Sequence, residues 1–92
     1  MTFDPHETGP VVLLGNARRG FSGTVRALKG GNAVSSLSPA ELESRLIELG
    51  FVEGAHVEVL HEGLIGRDPI AVRVENITVA VRRREAMAVV VI

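Results

Sequence analysis

The sequence predicts a mainly β domain, a small barrel of five short strands with one helix inserted between the second and third. Three observations carry that prediction. The stretch "PIAVRVENITVAVRR" (69–83) alternates apolar and polar residues on either side of a two-residue turn, the pattern of a hairpin with one buried face. The stretch "SPAELESRLIELGFVEG" (38–54) reads as one helix with both ends specified. A chain of 92 residues makes one domain, which buries only about 60–65 % of its unfolded surface, so its core is thin.

The elements follow in order. Residues 1–10, "MTFDPHETGP", have no basic region followed by an apolar core and are read as a disordered lead-in, not a signal peptide. The domain is expected to run from 11 to 92. "VVLL" (11–14) predicts a short strand ended by Gly15 and Asn16. "GFSG" (20–23) punctuates, "TVRALK" (24–29) predicts a strand, and "GGN" (30–32) a turn. In the helix, Ser38 and Glu41 form a capping box and Pro39 occupies the first helical position. Leu42, Leu46 and Leu49 make one apolar stripe, suited to plug an open barrel end. Gly50 stops the helix in the left-handed region and Phe51 folds back onto Leu46.

"AHVEVLH" (55–61) predicts a strand with Val57 and Val59 inward and His56 and Glu58 outward. Simple alternation then points His61 to the opposite side from His56. In the hairpin that follows, a turn at Glu75-Asn76, with Asn76 suited to positive φ, pairs Val74 with Ile77, Val72 with Val79 and Ile70 with Val81 on the core face. Arg73 with Thr78 and Ala71 with Ala80 then face outward. "RREA" (83–86) predicts a single helical turn, and "MAVVVI" (87–92) the last strand.

The charge is uneven: residues 38–66 carry a net −5 and residues 67–92 a net +2, in a chain of net −1. Such a balance, with three Phe and no Trp or Tyr, argues against nucleic-acid binding, which needs a basic surface or stacking aromatics. The same shortage of aromatics removes a polyproline groove. No apolar run reaches the roughly 20 residues that span a bilayer, so no direct membrane insertion is expected and the location is read as cytoplasmic. With no cysteine, disulfides and thiolate metal sites are excluded. The remaining candidate ligands are His6, His56, His61, Glu58 and Glu62. They place at most two on one strand face, too few for a metal site, so no metal and no cofactor is expected. No nucleophile motif and no phosphate-binding loop is present, so no enzyme is expected and no catalytic residue is assigned.

Over about residues 11–92, and most plainly from Arg45 onward, the order of signals resembles the FeoA family, the small cytoplasmic companions of the ferrous iron transporter FeoB. The residues that carry the resemblance are Arg45, Leu46, Leu49, Gly50, Phe51, Gly54, Gly66, Asp68, Pro69, Ile70, Arg82, Glu85 and Ala86. The chain departs from the family pattern in its Glu75-Asn76 turn and its longer lead-in. The resemblance implies an SH3-like barrel, a FeoB-like GTP-binding partner, and recruitment to the inner membrane by that partner. It also raises Arg67 as an arginine finger acting in trans, against the plainer reading of a surface arginine beside Asp68.

Within the sequence, the expected contact surface is the Gly-flanked loop "GLIGRDP", with Leu64, Ile65, Arg67 and Asp68, and next to it Arg73. The "RRR" at 82–84 is read as a solvated rim. The last strand, apolar on both faces, is expected to pair at an edge and give a homo-oligomer. The resemblance also leaves two other functions: similar SH3-like modules end metal-dependent transcription repressors, which implies an accessory domain acting on such a regulator, and a self-assembling metal sensor is the third.

Overall fold

The computed structural model describes residues 11–29 and 38–92; the expected disordered lead-in and the turn at 30–32 lie outside them. Six strands and two helices follow one another as β1 (Val12–Leu13), β2 (Ser22–Leu28), α1 (Pro39–Glu48), β3 (His56–Ile65), β4 (Asp68–Val74), β5 (Ile77–Val81), α2 (Arg83–Ala86) and β6 (Val89–Val91). A 3₁₀ turn at Leu14–Asn16 cuts β1 to two residues, shorter than the sequence suggests. The sheet is antiparallel in the order β1-β6-β2-β3-β4-β5. Among the described residues the count is six, not five, and the sheet is open, with β1 and β5 as its two edges.

β2 makes the corner. Its first half pairs with β3 and its second half with β6, with a register shift between Val25 and Ala27. One strand thereby serves both halves of the sheet and bends between them.

α1 matches its sequence signals at both ends. Ser38 Oγ accepts from Glu41 N–H, and the Glu41 carboxylate accepts from Ser38 N–H at 3.0 Å. At the other end Phe51 N–H donates to Leu46 O and Gly50 N–H to Ile47 O, the two bonds of a Schellman stop. Gly50 makes that stop at φ 104°, a conformation L side chains rarely adopt. Leu42, Leu46 and Phe51 are fully buried in one cluster with Val25, Val57, Val59, Ile70, Val72, Val81 and Val89; Leu49 packs at its margin, half-buried. Burying Leu42 and Leu46 contributes about 1.5–3 kcal/mol each. A Cβ on Gly50 would lie 3.1 Å from Val74 Cγ1, so the helix stop sits at the far end of β4. The helix closes that end of the core.

The β4–β5 hairpin has the expected register at all five positions, from Ile70↔Val81 to Val74↔Ile77. Its turn differs in one respect: the positive φ belongs to Glu75, at 55°, and not to Asn76. The cause is a clamp. Glu75 Oε2 accepts from His56 N–H at 2.6 Å and Glu75 N–H donates to His56 O, which ties the turn to the start of β3.

β6 overturns an expectation. It lies between β1 and β2 and is buried along its length, so its edges are already paired and it cannot join a second copy. An apolar strand without alternation is the signature of an interior strand.

Candidate interaction site

The segment read as a loop, "GLIGRDP", is a continuation of the sheet. β3 runs ten residues, but its support from the β2 side ends at Val59, which exchanges backbone bonds with Gly20 and Phe21. Beyond it, β3 and β4 continue as a two-stranded ribbon closed by Gly66 and Arg67, both left-handed at φ 67° and 59°. Two left-handed central residues give the twist that a tight hairpin needs.

Two bulges shape this ribbon. Leu60 is an extra residue between Val59↔Val72 and His61↔Ala71. It resets the parity, so His61 faces outward on the side of Glu58 and Arg73, and not opposite His56 as alternation suggested. The second shift lies between Glu62↔Ile70 and Ile65↔Asp68. There Gly63 comes so close to β4 that a Cβ would sit 2.2 Å from Asp68 O. Leu64 and Ile65 follow at the tip with relative exposures of 102 % and 89 %, among the most exposed large apolar side chains of the described residues.

The ribbon is held along one side, from Glu62 to its turn, by Arg83. Its Nε donates to Arg67 O at 2.7 Å, and one terminal nitrogen donates to Ala17 O at 2.6 Å and Gly15 O at 3.2 Å. The other terminal nitrogen pairs with the Glu62 carboxylate, and both side chains are only 18 % exposed. Asp68 Oδ1 accepts from Arg83 N–H at 2.9 Å. One guanidinium therefore ties the turn, the bulged strand and the segment before β2 together, using the planar fork that a lysine lacks. The rim reading holds for Arg82 and Arg84, which are exposed; Arg83 was missed. The available signal was that alternation sends its neighbours outward and leaves it inward.

Of the expected contact residues, the structure gathers Leu64, Ile65 and Arg67 at the tip. Asp68 is half-buried, with its carboxylate engaged by α2. Arg73 lies six residues along β4 from Arg67, about 20 Å at strand rise, and pairs with Glu58 at 2.9 Å on the outer face. Pro69 follows Asp68 in β4, and Gly54 sits in the turn between α1 and β3. Among the described residues no three His, Asp or Glu side chains cluster as a metal site would require. No described helix is long and apolar enough to cross a membrane.

Comparison with known proteins gives the architecture a family. The FeoA domain model matches residues 12–92. A crystal structure of an iron uptake regulatory protein, FeoA, is 27 % identical with a TM-score of 0.71, and the match covers 89 % of this chain and 96 % of that one. The zinc complex of Stenotrophomonas maltophilia FeoA, described as a prokaryotic SH3 domain protein, is 32 % identical with a TM-score of 0.66, covering 85 % and 86 %. A manganese-dependent transcriptional repressor shares the fold at 24 % identity and a TM-score of 0.72, with 92 % of this chain matched to 42 % of that one. No curated protein sequence matches. The SH3-like β fold and a family match over nearly its whole length agree, and the chain belongs to the FeoA family.

Proposed function

We propose that this chain is a non-enzymatic, cytoplasmic accessory protein of ferrous iron uptake, which binds a FeoB-like GTP-binding membrane transporter and is recruited to the inner membrane by it. The observation that carries the reading is the pair Leu64 and Ile65, held in water at the tip of a ribbon braced by Arg83. Isolated exposed apolar residues are ordinary, but two neighbours at a braced tip with Arg67 beside them make an anchor. Burying both against a partner contributes about 3–6 kcal/mol, roughly 10²–10⁴ in Kd. Family membership supports the partner class, and the Stenotrophomonas maltophilia relative is itself put forward as a ferrous iron transport activating factor.

The test is capture of partners from detergent-solubilised membranes by the tagged protein and by a Leu64→Asp/Ile65→Asp variant. The variant should keep its circular dichroism and thermal midpoint, because neither side chain is in the core. A large GTP-binding membrane protein retained by the wild type and lost by the variant supports the reading. Retention by both removes the tip from the contact. Capture of a soluble DNA-binding regulator instead would favour the role suggested by the fold shared with the repressor.

A further inference from the structure

We infer that β5 is a self-pairing edge, through which two copies of this chain join antiparallel into one continuous sheet. This is independent of the tip contact. β5 pairs with β4 on one side only and ends the sheet order, and among the described residues no other backbone hydrogen bond involves residues 77–81. Its five residues, Ile77-Thr78-Val79-Ala80-Val81, include no charge, no proline and no glycine. Edge strands are ordinarily blunted by such residues or by a bulge, and the β4–β5 ladder has none. The other edge, β1, has only two residues and cannot serve equally. Ile77 is also 64 % exposed on the face that elsewhere is core.

What selects a second copy as the occupant is the charge at the two ends of the strand. Glu75 precedes β5, and Arg82, Arg83 and Arg84 follow it. An antiparallel pairing about a two-fold axis through Val79 sets Ile77 opposite Val81, Thr78 opposite Ala80, and Val79 opposite itself. Extended by one residue, this register carries Asn76 of each copy opposite Arg82 of the other, which sets the exposed Arg82 side chain beside the neighbouring, exposed Glu75; Arg83, at the start of α2, stays committed to the ribbon. Unlike charges thus meet at both ends, twice by symmetry, and no like charges face one another within the strand. A slip by one residue would turn the core-facing side chains outward, and a slip by two leaves strand ends unpaired. Two five-residue strands bury less than the roughly 1,200 Å² typical of stable complexes, so the dimer forms and dissociates with protein concentration.

Sedimentation equilibrium from about 10 μM to about 1 mM reads that mass action directly. The expected result is a mass rising toward twice that of the chain, with association weakened at least tenfold by Ala80→Lys while the circular dichroism is unchanged. A mass that stays monomeric over the range overturns the inference, as does a dimer that ignores Ala80→Lys. The register has its own readout because the chain has no cysteine. Residues directly opposite in an antiparallel pair have Cα atoms about 4.5–5.5 Å apart, within disulfide range. Under mild oxidation a mixture of Thr78→Cys and Ala80→Cys proteins should therefore cross-link faster than either alone. Equal cross-linking in all three samples refutes the register. The Leu64→Asp/Ile65→Asp variant should dimerise as the wild type does, so the outcome here does not depend on the transporter contact. Loss of dimerisation in that variant moves the interface to the ribbon tip and also overturns the proposal.

Discussion

The two hairpins that share β4 are built on opposite terms. At the β4–β5 end every residue has one partner across the ladder, the turn is clamped to His56, and α1 closes the core beside Val74. At the β3–β4 end two extra residues break the ladder, the turn projects, and the apolar side chains point into water. The first hairpin is held by the core beneath it. The second is braced from Glu62 to its turn by one arginine side chain, and what it exposes is free to meet another molecule. Regularity marks where this chain stabilises itself, and irregularity marks where it offers a surface.

That contrast can be broken from either end. The largest effect is expected where α1 closes the regular end. Leu46→Ala should cost about 2–5 kcal/mol in urea unfolding, a large share of the stability of so small a domain. Arg83→Ala comes next, at about 2–4 kcal/mol, because it leaves the Glu62 carboxylate and backbone carbonyls without their donor. Its signature is local: amide exchange should accelerate at residues 62–68 and stay slow across β4–β5. If both hairpins loosen together, Arg83 is a global brace and the contrast fails. Gly63→Ala should cost about 1–3 kcal/mol, since its Cβ would meet Asp68 O at 2.2 Å, and should likewise be felt first in the ribbon. Arg73→Ala removes an ion pair whose side chains are 49 % and 43 % exposed, so its effect should stay within about 0.5 kcal/mol.

The smallest effect is a pH dependence at the helix start. The Glu41 carboxyl is held below its ordinary value of 4.5, first by the bond from Ser38 N–H and then by the Ser38 side chain. A carboxyl lowered by folding stabilises above its unfolded value and loses that contribution as pH falls through the folded one. The thermal midpoint should therefore drop below pH 4.5 slightly more steeply in the wild type than in Glu41→Gln, which keeps a neutral acceptor. Parallel curves would show that the capping bond is indifferent to charge.

The same contrast separates what the sequence shows from what it hides. Period-two alternation is a local code, so it predicts the β4–β5 register pair by pair, and capping chemistry predicts both ends of α1. A bulge adds one residue and reverses every later parity, which is why simple alternation puts His61 on the wrong face and shows a loop where the ribbon runs. The isolated Gly63 is a local sign of the second bulge, and the first, at Leu60, has none. Arg83 reaches carbonyls 68 and 66 residues away, and no pattern within a few residues encodes that. Strand order is equally non-local. β6 has the all-apolar composition of an interior strand, but which strands flank it is set by residues far away in the sequence.

The placement of β6 also bears on how the chain folds. β3, β4 and β5 pair with their neighbours in sequence order, while the strand that joins β1 to β2 follows all the others in the described sequence. Until it arrives, Val25 lacks its Val91 neighbour, and the apolar face shared by the two halves of the sheet stays open. Folding of the whole is thereby deferred to the final strand. A chain cut before residue 89 would lack the strand that joins β1 to β2 and leave its interior unsealed beside the charge-free β5 edge, a combination prone to aggregate.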